Sequence, residues 1–342
     1  MNPFELETVD SVESAVVALS VNGKPAGKVI AGGTNLVDLM KYRVEEPSKL
    51  VDITRLALGA IEDLPDGGLR LGALASNSNT AYDERVQSRY PLLSQAILAG
   101  ASPQLRNMAT DGGNLLQRTR CYYFYDKGTA CNKRVPGSGC PAIRGLNRIH
   151  AILGTSESCI ATHPSDMCVA LAALAATVRV TGPDGERTIP FKDFHRLPGD
   201  TPELDTNLQL GEVVTAIDLP ADGFAKHSYY LKARDRQSYA FALVSVAAAL
   251  ELEGDTVKVA RIALGGVAHK PWRDEEAESL LIGRPATRET FALAADKILA
   301  EARGFGGNTF KIDLARRIIP RALERAAEGT PAHNPADADG VA

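Results

Sequence analysis

The 342-residue sequence predicts a mixed α+β chain: a two-part N-terminal domain over residues 1–222, divided near residue 55, then an α/β C-terminal domain over 223–328. Three observations predict it. Short β-type runs alternate with helix-type runs through the first 220 residues. The turn signal Asp222-Gly223 is followed by three strand-like and then three helix-like runs. Between them, residues 117–160 show no sustained period and are rich in Arg, Gly, Pro, Tyr and Cys, and a loop this long inside a compact chain is usually functional.

The elements follow in order. Phe4 opens a strand; Asp10, with Glu13 three residues on, has the spacing of a capping box for a helix running to about Ser20. Residues 28–31 read as a strand entering Gly32-Gly33-Thr34-Asn35, with Thr34 or Asn35 capping a helix over 36–42. Residues 50–53 and 69–73 are strands, and Ser76 to Asn79 a turn and cap before helices over 81–87 and 92–99. After the irregular stretch come a buried helix (167–176), a strand (177–181), a hairpin turn at Pro183-Asp184-Gly185 and a strand at 213–219. The C-terminal domain reads as strands at 227–232, 240–251 and 258–265 and helices at 275–281, 288–302 and 311–327. Residues 329–342 are polar, rich in Ala, Pro and Asp, and expected to be disordered.

Composition narrows the function. A formal net charge of −4 argues against nucleic acid as a partner, which needs a basic surface. No apolar run approaches the roughly 18 residues of a membrane span. The acidic start, Met1 to Glu7, has no signal-peptide pattern. The expected compartment is therefore the cytoplasm, or the periplasm by co-export with a partner that carries the signal.

All five cysteines lie within 48 residues, at 121, 131, 140, 159 and 168, which suggests one local site rather than a spread disulfide framework. Zinc knuckles at C-x2–4-C spacing are absent, whereas iron–sulfur clusters need four thiolates and accept varied spacing. Cys168 lies in an apolar helical run, leaving Cys121, Cys131, Cys140 and Cys159 as the candidate metal ligands; iron–sulfur, zinc and free or paired cysteines all remain open on spacing alone. Seven basic residues against the single Asp126 between Arg118 and Arg148 give a local charge of +6, expected to stabilise an anionic cluster and to lower thiol pKa values. Tyr122, Tyr123, Phe124 and Tyr125 either shield such a cluster or form a strand with core contacts.

Two glycine pairs stand beside it. Ala31, Gly32, Gly33, Thr34, Asn35 and Leu36 place backbone N–H groups where an anion can sit; the bland alternative is a plain strand-to-helix turn. Thr110, Gly112, Gly113 and Asn114 repeat the pattern, and together the loops can hold a diphosphate and its flanking sugars. Asp166, after His163-Pro164-Ser165, is either a helix cap or an acceptor for a sugar hydroxyl. His163, His195 and His269 have no Ser or Asp partner at recognisable spacing, and no residue is assigned a catalytic role.

These loops, Pro164-Ser165-Asp166 and the insert residues Cys121-Tyr122-Tyr123-Phe124, Gly139-Cys140-Pro141 and Cys159-Ile160-Ala161-Thr162 resemble the FAD-binding (medium) subunit of the xanthine dehydrogenase and aldehyde oxidoreductase family, over about residues 1–325. The insert is similar to that of members, among them periplasmic aldehyde oxidoreductase and 4-hydroxybenzoyl-CoA reductase, whose flavin subunit holds an extra [4Fe–4S] cluster. The resemblance implies a two-part FAD domain of PCMH/VAO-like fold, as in the CO dehydrogenase flavoprotein, and FAD and [4Fe–4S] as cofactors. It implies a ribose contact at Asp166, ring contacts at Lys232 and Val214, and Gly100 at a ring position that is aromatic in some relatives. It also implies a heterotrimer with a molybdenum-cofactor large subunit and a [2Fe–2S] small subunit, passing electrons to an external acceptor. Two other classes compete: a zinc-stapled, non-redox interaction subunit, and a self-sufficient FAD oxidase.

Overall fold

The computed structural model describes residues 1–21, 23–237 and 239–332. The first unit comprises β1 (Glu5–Thr8), α1 (Val12–Leu19), β2 (Ser20–Val21), β3 (Lys24–Pro25), β4 (Lys28–Ile30), α2 (Leu36–Lys41) and β5 (Lys49–Asp52), with β1, β5 and β4 in one parallel sheet in that order. The cap of α1 differs from the sequence expectation. Ser11, not Asp10, is the N-cap, and Ser14 closes the box. A hydroxyl one residue later does what a carboxylate was expected to do, and Asp10 and Glu13 lie outside it.

The second unit holds β6 (Ile61–Asp63), β7 (Leu69–Gly72), α3 (Asn77–Tyr82), α4 (Glu84–Arg89), α5 (Pro91–Ala99), α6 (Pro103–Met108), α7 (Asp111–Leu115), α8 (Tyr122–Tyr125), α9 (Asp166–Ala173), β8 (Thr177–Gly182), β9 (Gly185–Pro190), α10 (Phe191–Phe194) and β10 (Val213–Leu219). Its five strands pair in the order β6-β7-β10-β8-β9. Residues 122–125 form a single helical turn, not a strand, because the N–H groups of Phe124, Tyr125 and Asp126 find acceptors back at Cys121 and Tyr122.

The third unit is β11 (Ser228–Ala233), β12 (Val244–Glu253), β13 (Thr256–Gly265), β14 (Trp272–Arg273), α11 (Glu275–Ser279), α12 (Arg288–Ile298) and α13 (Phe310–Ala327), with the four strands paired in chain order. β12 explains how the units join. Val244, Val246, Ala248 and Leu250 face a core with α12 and α13, while Ala247 and Ala249 face a second core with α5, α9 and the five-stranded sheet. Both faces of the strand are covered, so it reads as a continuous apolar run. α9 is buried at all eight positions for the same reason: a helix that is apolar all round sits between layers. Of the expected disordered tail, Gly329 and Thr330 are hydrogen-bonded to Ala326, Lys226 and Ser228, and residues 333–342 lie outside the described residues. No helix among the described residues is long and apolar enough to cross a membrane.

Candidate functional site

Four cysteines meet at one cavity. Cys121 precedes α8, Cys131 and Cys140 sit on the loops after it, and Cys159 is on the return toward α9; all four line a cavity with Tyr123, Phe124, Lys133, Ala142, His150 and Ala161. Cys121, Cys131 and Cys159 are 9% exposed or less, and all five cysteines carry free thiols. Cys168 lies elsewhere, on α9, fully buried. Among the described residues no three of the four cavity sulfurs fall within 4.8 Å of one another. Four thiolates on one tetrahedral zinc, at a Zn–S distance of about 2.3 Å, would stand roughly 3.8 Å apart.

The insert's charge is organised differently from the sequence expectation. Arg118 binds Glu45 (2.5 Å) and Asp205 (2.9 Å), Lys133 binds Asp205 and the Pro202 carbonyl, and Arg148 pairs with Asp235 (2.6 Å). Arg134 donates to the carbonyls of Tyr123, Phe124, Asp126 and Thr129. Acids from outside the insert thus neutralise much of the +6, and the cations act mainly as braces. Nor do the Cys121, Cys140 and Cys159 thiols ionise easily. Burial pushes Cys121 up to about 12 and Cys159 to about 11, against the partial help of Lys133 at Cys159. Desolvation therefore outweighs the neighbouring cations, and metal binding here must displace thiol protons.

The first glycine loop abuts this cavity. Leu39 of α2 belongs to one apolar cluster with Cys121, Cys131 and Cys159, and Asn35 Oδ1 accepts the Arg118 N–H at 2.9 Å instead of capping α2. Gly33 has φ +70°, and a Cβ at Gly32 would stand 1.8 Å from the Met108 carbonyl oxygen, so the loop is pressed onto the end of α6, just ahead of the second glycine loop. Among the described residues no acceptor takes the backbone N–H groups of Gly32, Gly33, Thr34 or Asn35. Four successive free donors, half-buried between Ala31 and Leu36, make a cradle that suits a diphosphate.

The second loop is less open than expected. Thr110 caps α7 through Gly113 N–H (3.2 Å), while Asp111 and Gly112 donate to the carbonyls of Ala75 and Ala73, both at 2.9 Å. Its contribution is therefore through side chains rather than free N–H groups. Asn114 is one of these: it donates to Asn77 (2.7 Å) and accepts from Ser165 (2.5 Å) and Gln117 (2.8 Å), tying the loop to α3 and α9.

Asp111 holds the base of that loop, accepting from Asn77 Nδ2 (2.7 Å) and Thr80 Oγ1 (2.5 Å) with no exposed surface. Burial raises its pKa to about 7 despite both bonds. A raised carboxyl pKa favours the protonated form in the native state, so this group's stability contribution is full below about pH 4 and is lost as pH rises toward 7. The Asp111→Asn variant is expected to remove a slope of up to about 1.4 kcal/mol per pH unit across that window, read from denaturant midpoints at pH 4.5, 5.5 and 6.5.

Asp166 and Lys232 come together. Ser165 is the N-cap of α9, and the Asp166 carboxylate takes Tyr230 Oη (2.6 Å) and Lys232 Nζ (2.8 Å), the latter also donating to the Ala99 carbonyl. Gly100 borders this pair, a Cβ there standing 3.1 Å from Asp166 Oδ2. Val214 is instead 5% exposed on β10, within the core shared by the five-stranded sheet and α9.

His150, Asp205 and Tyr230 escaped the sequence reading, and Lys133 figured there only as one of the insert's seven basic residues. Tyr230 and Lys232 are two apart on one strand and so share a face, a signal that was available. Asp205 sits 72 and 87 residues from its partners, and nothing local marks it.

Residues 2–222 match the family "FAD binding domain in molybdopterin dehydrogenase", and residues 228–326 match "CO dehydrogenase flavoprotein C-terminal domain". The chain is 50% identical over 328 residues to the aldehyde oxidoreductase FAD-binding subunit PaoB of Escherichia coli K12, covering 95% of this chain and 99% of that one. It is 28% identical over 329 residues to the carbon monoxide dehydrogenase medium chain of Hydrogenophaga pseudoflava, covering 94% and 96%. The solved structure of carbon monoxide dehydrogenase from that organism, lacking the Mo-pyranopterin moiety, superposes with a TM-score of 0.74 at 28% identity, covering 95% of this chain and 97% of that one.

Proposed function

The chain belongs to the FAD-binding subunits of the xanthine dehydrogenase and aldehyde oxidoreductase family, oxidoreductase subunits of molybdenum hydroxylase complexes, and from that premise we propose that it relays electrons through FAD and one [4Fe–4S] cluster within a heterotrimeric aldehyde oxidoreductase. A molybdenum-cofactor subunit and a [2Fe–2S] subunit complete the complex, and an external acceptor takes the electrons. The observation that carries the reading is the convergence of Cys121, Cys131, Cys140 and Cys159 on one cavity packed against the first glycine loop. The sulfur spacing favours a cubane over the zinc-stapled alternative.

Bound FAD would exchange electrons pairwise or singly, and the cluster would pass them one at a time. The chain's own residues hold and orient these groups. Gly32 to Asn35 offer backbone donors to the diphosphate, with Ala31 and Leu36 bounding the loop; Thr110, Gly112, Gly113 and Asn114 close the other side. Asp166 and Lys232 form a nearly closed ion pair, 8% and 4% exposed, which would offer bound flavin a fixed, neutralised polar surface. Phe124, Leu39 and Ala161 keep water from the cluster's thiolates.

His150 bears on the cluster's potential. Its Nε2 lies 3.0 Å from Cys121 Sγ, and in the Nε2-protonated tautomer the ring would donate to the sulfur. A hydrogen bond to a ligand thiolate stabilises the reduced, more negative cluster and raises its potential. His150→Leu is expected to shift the midpoint negative, seen in a potentiometric titration followed by electron paramagnetic resonance; an unmoved midpoint with full iron would refute this role.

The reading as a whole is tested by metal and flavin content. The purified complex should carry one FAD and about four irons with four sulfides on this chain. Cys131→Ser should lose that iron and keep the flavin. Full flavin with no iron in the wild-type chain would remove the cluster from the proposal.

A further inference from the structure

We propose a second metal site, a zinc ion bound by His163, Cys168 and His195. The three residues come from separate segments: His163 from the return after Cys159, Cys168 from the first turn of α9, and His195 from the end of α10. One ligand atom from each lies within 4.8 Å of the other two. All three residues are enclosed, at 9%, 0% and 3% exposure.

The imidazole tautomers point the same way. His195 Nε2 is 2.8 Å from the Leu115 carbonyl, an acceptor only, so Nε2 carries the proton and Nδ1 presents a lone pair. That Nδ1 is buried with no partner among the described residues, and so is His163 Nε2, although the two rings stand only 4.3 Å apart at 50°. Two orphaned imidazole nitrogens beside a buried thiol form an unexplained polar pocket. An ion accepts all three lone pairs at once, and the Leu115 carbonyl then acts as the outer partner that fixes a ligand histidine.

The ligand class selects the ion. One thiolate and two imidazoles suit zinc or another borderline divalent ion, and three protein ligands leave a fourth position for water. Zinc with one thiolate carries a net charge of +1; the field of Asp205 reaches both rings, opposed by Lys133 at His163 and by Lys270 at His195. The location gives the role. His163 N–H donates to the Ala268 carbonyl of the C-terminal domain, and Phe191 and Phe194 pack edge-on against His195. The ion would clip the end of the cysteine insert to α9 and α10. It is independent of the four cavity cysteines.

The test is metal analysis of the intact complex expressed in zinc-replete medium. Wild type should hold about one zinc on this chain beyond its iron, and X-ray absorption at the zinc edge should show one sulfur near ~2.3 Å and two nitrogens near ~2.0–2.1 Å. His195→Gln and Cys168→Ala should each lose most of that zinc with iron and flavin unchanged. If either variant does not fold, the wild-type stoichiometry and edge spectrum still decide. A wild-type chain with no zinc, cobalt, nickel or copper, or zinc retained by a folded His195→Gln chain, overturns the site and leaves a water-filled pocket.

Discussion

Gly32→Ala is expected to abolish flavin binding. The added Cβ falls 1.8 Å from the Met108 carbonyl oxygen and 2.7 Å from its carbon, and these are backbone atoms that no rotamer change can move aside. Relief requires the first glycine loop to lift from α6, which separates the loop carrying free N–H donors from the loop carrying Thr110 and Asn114. Overpacking of this kind costs about 1–3 kcal/mol in a core, and here the displaced element is the cradle itself. The expected result is a folded chain with lowered thermal midpoint and flavin absorbance at or below about a tenth of wild type, a fall in affinity of the order that 1.4 kcal/mol per decade permits. Gly59→Ala is the control, since its Cβ meets only the Leu74 carbonyl oxygen, at an ordinary 3.9 Å, away from both loops. Full flavin occupancy in Gly32→Ala would show that the two loops do not act as one site.

Asp205→Ala should be strongly destabilising. Burial alone would raise this carboxyl's pKa, but Lys133, Arg118 and His269 together hold it well below the usual carboxylate range. Its removal leaves Lys133, whose side chain has no exposed surface, with only the Pro202 carbonyl, and leaves Arg118 with Glu45 and a longer contact to the Glu203 carbonyl. Breaking a buried pair from one side costs roughly 3–5 kcal/mol. Asp205 is 28% exposed, so the lower end applies. The depressed pKa sets the sign with pH: the pair's stabilisation is complete above the unfolded carboxylate's pKa near 4 and is lost as pH falls below it. Denaturant titration at pH 7 and pH 3 should show the wild-type advantage over Asp205→Ala shrinking at the lower pH. Iron should fall as well, because Lys133 lies on the cavity wall. Asp205→Ala with Lys133→Met should recover much of the stability, since the uncompensated charge is then gone.

Asp205 also marks where local sequence ceases to inform. Strand and helix runs were legible wherever one face is apolar: β8, β10, β12, β13, α12 and α13 fall within a few residues of their expected places. β6 and β9 were not, because edge strands with mostly exposed residues carry little alternation. The helical turn at residues 122–125 was ambiguous because four consecutive aromatics fit either period.

What the sequence determined by itself was the inventory: four cysteines in one insert, two glycine loops after apolar runs, and an acid ahead of a buried helix. These are short-range patterns, and backbone freedom at glycine or thiol chemistry at cysteine holds wherever the chain goes. The tertiary structure decided which of them meet and in what electrostatic state. Only packing brings Leu39 onto the cysteine cavity, sets Asp205 against Lys133 and Arg118, and lets desolvation override nearby cations at the thiols. Distance, burial and charge neutralisation are properties of the folded neighbourhood, and residues 70 to 90 apart in the chain cannot announce them locally.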